Sequence, residues 1–217
     1  MKRPHVIINC AMSADGKIAS PTRKQMRISC DEDIKRMYHL RNKCDAVLVG
    51  IGTILADDPK LTVKEQYVKN PKQPLRIILD SKGRTPAHAL ALNNISKTLI
   101  ITAKGKEKTY TGSHIEVVSC KIDRNGLIDV KSALDLLYRK GVRTLLVEGG
   151  GTIIWNFLKN KVVDDLFIFI GPCIIGGTET PTVADGEGIK SEQDCIPLKI
   201  VTVKREGPGV MIHYQSQ

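Results

Sequence analysis

Long apolar runs are missing from this chain, and their absence excludes two classes of protein. No uninterrupted apolar run approaches the length of about 18 residues that a membrane-spanning helix needs. Polar Asn9 and Ser13 and charged Asp15 and Lys17 stand where the apolar core of a secretory signal peptide would lie. We therefore expect a cytoplasmic protein that does not enter a membrane.

Metal-binding patterns are missing as well. The six cysteines are scattered without a C-x-x-C pair, and the five histidines contain no H-x-x-x-H pattern. The combination of H-x-E with P-C-x-x-C that holds the zinc of nucleobase deaminases is absent, because no P-C-x-x-C occurs. We predict reduced, mostly buried thiols, no bound metal and no deaminase activity in this chain.

Aromatic residues are scarce, at 4% of the chain, whereas the net charge is +10. A basic excess is shared by nucleic-acid-binding proteins and by enzymes of phosphorylated substrates. The lysines and arginines are spread along the chain, and no aromatic motif for stacking single strands is present. We favour a small phosphorylated ligand over nucleic acid. A basic nucleic-acid-binding module is the alternative from a different class.

Short β-branched runs recur along the chain and predict nine strands. They cover residues 5–10, 45–50, 75–79, 98–102, 115–119, 144–148, 165–170, 199–204 and 210–214. Two helices have clear start signals: Ser29 opens a capping box before a helix that runs to about Asn42, and Asp129 caps a helix over residues 130–140. Strands that alternate with helices and then give way to a strand-rich end indicate an α/β fold with a mostly parallel sheet and an antiparallel edge. The length of 217 residues suits one such three-layer domain over residues 1–217.

Three segments that follow predicted strands carry groups suited to a nucleotide. The glycines before Thr152, at the start of a helical segment, allow backbone amides to approach a diphosphate, although a flexible turn also uses glycines. Thr53 and Asp57 would share one face of a short helix, unless Asp57 merely ends a turn. Asp80, Ser81, Lys82 and Arg84 follow the third predicted strand. Their hydroxyl and cationic groups suit the 2′-phosphate of NADPH, and a solvated charged turn is the alternative.

Arg41 is the most informative single residue. It continues the apolar stripe of Ile34 and Met37 at helical spacing, so we expect it to face inward with them. An inward arginine needs an anionic partner. That partner is either an internal carboxylate or a substrate phosphate, which a guanidinium group binds in two-pronged fashion.

Several motifs in one order carry a resemblance to a known family. They are Asn9-Cys10-Ala11-Met12-Ser13-Ala14-Asp15-Gly16-Lys17-Ile18-Ala19, Arg27-Ile28-Ser29, Ala56-Asp57-Asp58-Pro59-Lys60-Leu61-Thr62, Ile78-Leu79-Asp80-Ser81 and Glu148-Gly149-Gly150-Gly151-Thr152. The chain resembles the archaeal type of 2,5-diamino-6-ribosylamino-4(3H)-pyrimidinone 5′-phosphate reductase over nearly its whole length. It is similar in the same way to the reductase half of the bacterial bifunctional deaminase-reductases of riboflavin biosynthesis.

The resemblance implies a dihydrofolate-reductase-like fold, a homodimer and NADPH as the hydride donor. The predicted cofactor contacts are Thr53, Asp57, Leu79, Asp80, Ser81, Lys82, Gly149, Gly150, Gly151 and Thr152. The predicted substrate contacts are Arg41, Leu61, Lys64 and Glu148, and Glu148 is also the candidate catalytic residue for handling a proton. Two positions depart from the bacterial pattern: Lys64 replaces an arginine and Arg27 replaces a tryptophan.

The implied reaction reduces the ribosylamino group of the phosphorylated pyrimidine to a ribitylamino group. In the archaeal and fungal order of this pathway, reduction precedes deamination. Two enzymatic alternatives remain open at this point: a reductase that acts on the deaminated pyrimidine, and a dihydrofolate or other pteridine reductase with the same fold and cofactor.

Overall fold

A computed structural model describes residues 2–217, which divide into two compact units. Unit 1 comprises residues 2–5 and Tyr38–Leu146, and unit 2 comprises Val6–Met37 and Val147–Gln217. The two units interleave along the chain, because each is built from two separate segments. The single reductase domain expected over residues 1–217 stays a prediction.

All nine predicted strands are present, and most of them extend one to three residues further than predicted. The strands are β1 His5–Ser13, β2 Ala46–Gly50, β3 Leu75–Leu79, β4 Thr98–Ala103, β5 Ile115–Cys120, β6 Thr144–Val147, β7 Asp165–Gly171, β8 Leu198–Glu206 and β9 Gly209–Ser216. The α-helices are α1 Asp31–Lys43, α2 Ile51–Asp57, α3 Val130–Arg139 and α4 Gly151–Lys159. Two short 3₁₀ helices cover Leu90–Leu92 and Glu192–Asp194.

The strands of unit 1 follow the order β5-β4-β3-β2-β6. Pairs β2–β3, β3–β4 and β4–β5 are parallel, with Gly50 opposite Leu79 and Leu79 opposite Ile101. Every residue of β2 is buried, as its continuous apolar run predicts for a strand covered on both faces. Because parallel strands end at the same edge, the segments that follow β2, β3 and β4 lie side by side, and ligands of open α/β sheets bind at this edge.

Unit 2 holds the predicted antiparallel edge. Its strands follow the order β1-β7-β9-β8, with β1 parallel to β7 and with β9 antiparallel to both β7 and β8. Strand β8 is the edge strand, and most of its residues are exposed. Mostly parallel strands with an antiparallel edge are therefore confirmed.

The helix signals are confirmed with one correction. The Asp129 carboxylate accepts a hydrogen bond of 2.8 Å from the Ser132 amide and so caps α3, as predicted. Helix α1 begins at Asp31, so the residue before it is Cys30 rather than Ser29. The capping box predicted at Ser29 is thus one residue too early, and the Ile34 amide donates to the Cys30 carbonyl in the first turn of the helix.

One buried cation in unit 1 was missed by the sequence analysis. Arg76 of β3 is fully buried, and its guanidinium donates to the carbonyls of Asn93 and Ser96 and, at 2.8 Å, to the Asn93 side-chain oxygen. Burial lowers the pKa of Arg76 to about 10. The side chain ties the segment after Leu90–Leu92 to β3, which is a structural role.

The cysteines depart from the prediction of mostly buried thiols. Cys10 and Cys44 are buried, whereas Cys173 and Cys195 are exposed and the other two are intermediate. Burial, together with the nearby Asp33, raises the pKa of Cys10 to about 12. In the part of the chain that the structure describes, no helix is long and apolar enough to cross a membrane.

Candidate cofactor and substrate sites

Helix α2 begins directly after β2 and carries two predicted cofactor contacts. Thr53 and Asp57 both lie within the helix, four positions apart, so they share one helix face as predicted. Asp58 ends the helix in the left-handed conformation, with φ of 41°, and its side chain accepts a 2.7 Å hydrogen bond from the Leu90 amide. Asp57 is therefore part of the helix and does not merely end a turn.

The turn after β3 carries the remaining unit 1 cofactor candidates. Leu79 and Asp80 are buried, Ser81 is half-buried and Lys82 is exposed. One Asp80 oxygen accepts hydrogen bonds of 2.7 and 2.8 Å from the amide and hydroxyl of Thr85, and its other oxygen lies 3.8 Å from Arg84 Nε. The Asp80 side chain thus holds the turn together, while Lys82 is exposed to solvent.

Arg41 and Lys64, two predicted substrate contacts, lie on the same aromatic ring in unit 1. The Arg41 guanidinium carbon is 5.4 Å and the Lys64 ammonium 5.6 Å from the ring centroid of Tyr38. Arg41 also donates a 2.9 Å hydrogen bond to the carbonyl of Thr62. Tyr38 is buried and stacks on Tyr67, with centroids 4.6 Å apart. The structure therefore brings two cations together on a stack of two tyrosines.

The stripe that motivated the Arg41 prediction is less buried than expected. Ile34, Met37 and Arg41 are all intermediate, and the buried residues of α1 are Asp33 and Tyr38. All five lie on one arc of the helix, so Arg41 does share the inward-facing side. Leu61 has only 2% of its surface exposed and a φ of 54°, a backbone conformation that non-glycine residues seldom adopt.

Gly149, Gly150 and Gly151 lie in unit 2 at the start of α4, and their structural roles differ. Gly149 has a φ of 105°, and a Cβ atom there would meet only the Ile154 side chain, at 3.6 Å. Gly150 is the N-cap of α4 with a φ of −75°. A Cβ at Gly151 would lie 2.4 Å from the Thr182 carbonyl oxygen and 2.7 Å from an Asp185 carboxylate oxygen. Gly151 is therefore required for packing within unit 2, and Gly149 and Gly150 remain the candidates for close approach of a diphosphate.

Asp15, in the first motif that carried the family resemblance, joins that motif to the segment after β7. Its carboxylate accepts hydrogen bonds from the Ser13 hydroxyl at 2.6 Å and from the amides of Ile175 and Gly176 at 3.1 and 2.7 Å. The Ser13 hydrogen bond and these amides lower the pKa of Asp15 to about 2. The sequence analysis assigned Asp15 no role, although it lies in a quoted motif, because nothing local indicates its partners some 160 positions away.

Comparison with known proteins identifies the family. The chain matches the model of the RibD C-terminal domain over residues 4–212. It is 39% identical to the 2,5-diamino-6-ribosylamino-4(3H)-pyrimidinone 5′-phosphate reductase of Archaeoglobus fulgidus over 97% of each chain. It is 35% identical to the protein of the same name from Methanothermobacter thermautotrophicus over 98% of each chain. The chain belongs to the RibD C-terminal domain family.

A solved structure supports the fold assignment. The chain is similar, with a TM-score of 0.83 and 28% identity, to the diaminohydroxyphosphoribosylaminopyrimidine deaminase/5-amino-6-(5-phosphoribosylamino)uracil reductase of Thermotoga maritima. The match covers 99% of this chain and 57% of that longer one. The predicted dihydrofolate-reductase-like α/β class is confirmed, as is the reductase family.

Within this RibD C-terminal domain, one segment has the H-x-E spacing of the deaminase zinc site. It is His114-Ile115-Glu116, and its polar groups have structural partners in unit 1. A ring nitrogen of His114 lies 2.8 Å from the Leu92 carbonyl, and Glu116 pairs with Lys140 at 2.5 Å. No group of three or more His, Cys, Asp or Glu residues that could hold a metal ion occurs among residues 2–217.

Proposed function

We propose that the protein reduces the ribosylamino group of 2,5-diamino-6-ribosylamino-4(3H)-pyrimidinone 5′-phosphate to a ribitylamino group, with NADPH as the hydride donor. The observation that carries this proposal is the match to the Archaeoglobus reductase, which is 39% identical over 97% of both chains and is named for this reaction. A cytoplasmic location is part of the same proposal, since relatives of this kind act on soluble metabolites.

Each unit, described separately, has residues suited to binding part of a dinucleotide. In unit 1, Thr53 and Ser81 follow two parallel strands that end at the same edge, where open α/β sheets bind nucleotides. In unit 2, Gly149 is buried just before α4, and a Cβ atom there would meet only the Ile154 side chain, at 3.6 Å. The first turn of α4 carries partial positive charge, which suits a diphosphate. The exposed Thr152 hydroxyl adds a hydrogen-bond donor there. NADPH, when bound, supplies the hydride.

The substrate side rests on Arg41 and Lys64. Both cations lie within 5.6 Å of the centroid of the Tyr38 ring, so the fold places two positive charges around one buried aromatic side chain. We propose that they bind the 5′-phosphate of the substrate, with Leu61 beside them. Lysine at position 64 contributes a point charge, whereas arginine would add a planar two-pronged contact.

Glu148 is the proposed catalytic residue. It follows β6 directly and is half-buried, so its carboxyl group can hydrogen-bond the opened ribose or move a proton during reduction. A water molecule near Asp57 is the alternative proton carrier. Glu148→Gln should keep the hydrogen-bonding shape and lower turnover much more than it weakens binding of substrate.

The test is NADPH oxidation, followed with the diamino pyrimidine and the deaminated pyrimidine side by side. We expect turnover with the diamino substrate and a clear preference for NADPH over NADH at low cofactor concentration. A preference for the deaminated substrate would assign the chain to the other order of the pathway. Equal turnover with both cofactors would contradict the cofactor proposal alone, and no turnover with either substrate would contradict the proposed reaction.

We also propose a homodimer, which the resemblance implies. Supporting it, the edge strand β8 exposes Ile200 and Val203, each 57% accessible, and Val201 beside them. Exposed β-branched residues on an unpaired edge favour association of chains. Light scattering should give twice the mass of the chain, 23.9 kDa each, and Val203→Lys should lower that mass if this strand takes part.

A further inference from the structure

Two neighbouring strands of unit 1 end in turns that lie against each other. After β3, the Gly83 amide donates a 3.1 Å hydrogen bond to the Asp80 carbonyl and closes the β3 turn, residues 80–83. After β4, the Lys106 amide donates at 3.0 Å to the Ala103 carbonyl and closes the β4 turn, residues 103–106. The Ala103 amide also donates at 3.3 Å to the Ser81 carbonyl, so the two turns are joined through their backbones.

Gly83 shows how tightly the two turns are packed. Its φ is 63°, and a Cβ atom there would lie 2.3 Å from the carbonyl oxygen of Lys106. No side chain can be accommodated at that distance, so the turns approach to backbone contact. Asp80 keeps the β3 turn in place through its two hydrogen bonds to Thr85. The relative position of the turns is therefore set by the fold and not by mobile side chains.

This paired turn surface concentrates positive charge. Lys82 lies in the β3 turn and Arg84 directly follows it. Lys104 and Lys106 lie in the β4 turn, and Lys108 comes two residues after it. All five side chains are exposed. The nearby carboxylates are Asp80 and Glu107. Asp80 is buried, with one oxygen bonded to Thr85 and the other 3.8 Å from Arg84 Nε. Backbone amides, including its own, and the Ser119 hydroxyl lower the pKa of Glu107. The cations consequently exceed the anions at this edge.

We propose that Lys104 and Lys106 are specificity-determining residues that, with Lys82, recognise the phosphate monoester on the adenosine ribose of the cofactor. The inference rests on the proposed NADPH dependence and adds two residues, Lys104 and Lys106, that lie outside the motifs carrying the family resemblance. Lysine ammonium groups on flexible stems bind phosphate as point charges, and charges within about 8 Å of it are only partly screened at physiological salt. Two lysines from the β4 turn, held beside the β3 turn, thus extend the cationic surface at the edge where the ribose is expected to lie.

The experiment measures binding rather than turnover. Adenosine 2′,5′-bisphosphate and adenosine 5′-phosphate are titrated by calorimetry into the wild-type protein and into the K104A/K106A variant. We expect the variant to bind the bisphosphate roughly tenfold more weakly, since each charged contact contributes on the order of one tenfold step at most when exposed to solvent. The affinity for adenosine 5′-phosphate should stay within about twofold of the wild type, because this ligand lacks the 2′-phosphate that the two lysines are proposed to contact.

Two further variants serve as controls. K104R/K106R keeps both charges and should retain the affinity for the bisphosphate. K43A/K131A removes two exposed lysines of the same unit away from the paired turns, and it should leave both affinities unchanged. The inference would be overturned if K104A/K106A lost the same affinity for both ligands, or if K43A/K131A lost as much affinity for the bisphosphate as K104A/K106A does. Either result would mean that only the overall positive charge of the protein acts.

The same titrations separate this inference from the proposed function. If the wild type binds the bisphosphate better than the 5′-phosphate and K104A/K106A keeps that preference, only the assignment of these two lysines is wrong. If the wild type shows no preference between the two ligands, the proposed NADPH dependence is contradicted, and the inference fails with it.

Discussion

At the scale of single residues, the position of Arg41 agrees with the prediction made from its helical spacing. Helical spacing predicted that it faces inward, and it lies half-buried on the inward arc of α1 with its guanidinium over Tyr38. The spacing could not indicate Tyr38 as a partner ring for Lys64 as well, because residue 64 lies beyond β2 and α2. The clustering of the two cations comes from the tertiary structure alone.

We predict that Arg41→Ala weakens binding of the phosphorylated substrate and leaves NADPH affinity unchanged. Loss of one partner of a charge pair typically costs about 2–5 kcal/mol, part of which reflects the anion left without its partner. The measurement is kcat/KM with the phosphorylated and the dephosphorylated substrate. The wild-type preference for the phosphorylated form should largely vanish; an equal loss with both forms would instead indicate that Arg41 only anchors the protein itself.

Gly151 and Thr152, the first two residues of α4, allow an effect on packing to be distinguished from an effect on cofactor binding. Gly151→Ala should lower the melting temperature, because its Cβ would lie 2.4 Å from the Thr182 carbonyl oxygen. Thr152→Val removes an exposed hydroxyl while keeping the side-chain shape, so it should weaken NADPH binding by about 1 kcal/mol and leave the melting temperature nearly unchanged. Thermal denaturation and cofactor titration of both variants decide the matter. Normal NADPH affinity in Thr152→Val would exclude this hydroxyl as a contact.

At the scale of elements, Asp45 links the starts of three strands in unit 1. Its carboxylate accepts hydrogen bonds of 3.0 Å from the amides of Arg143 and Thr144, just before and at the start of β6, and of 3.0 Å from Lys72 Nζ. Its carbonyl accepts from the Leu75 amide, at the start of β3, at 2.9 Å. Burial raises the pKa of Asp45, but these hydrogen bonds outweigh it and lower the pKa to about 2.

We predict an acid-dependent stability effect at Asp45. A carboxyl group with a lowered pKa in the folded state stabilises the fold above its unfolded pKa of about 4, and this contribution is lost as the pH falls towards 2. Asp45→Asn should therefore lower the free energy of unfolding at pH 7 by about 1 kcal/mol, since the site is partly exposed, and by less near pH 3. Denaturant titrations at both pH values test this.

Asp135→Asn is the matched control, because Asp135 pairs with Arg139 at 2.9 Å on an exposed face of α3. It should change the free energy of unfolding by no more than about 0.5 kcal/mol at either pH. A constant difference between the wild type and Asp45→Asn from pH 7 to pH 3 would show that the charge on Asp45 does not stabilise the fold.

For the whole molecule, we predict that purified protein carries no stoichiometric zinc and keeps its reductase activity after treatment with a chelator. The motive is the missing P-C-x-x-C pattern, together with the structural partners of His114 and Glu116. Elemental analysis of the purified protein tests it. One zinc ion per chain that resists dialysis would contradict the prediction.

Local patterns in the sequence determined the strands of this protein, the cap of α3 and the glycine-rich start of α4. Continuous apolar runs identify covered strands, and Asp129 and Gly149 act on their own neighbours, so the information lies within a few residues. The capping box was misplaced by one residue because Ser29 and Cys30 both precede the helix, and sequence spacing alone does not decide which of them ends the extended segment.

Only the tertiary structure decided which of these elements meet. The contacts of Asp15 with Gly176, of Gly83 with Lys106 and of Arg41 and Lys64 with Tyr38 join segments that follow different strands or helices. The burial of Arg76 likewise depends on where the segment after Leu90–Leu92 crosses β3. The physical reason is that periodicity reports which face of an element is apolar, whereas strand order and register fix which distant backbone groups and charges come within contact distance.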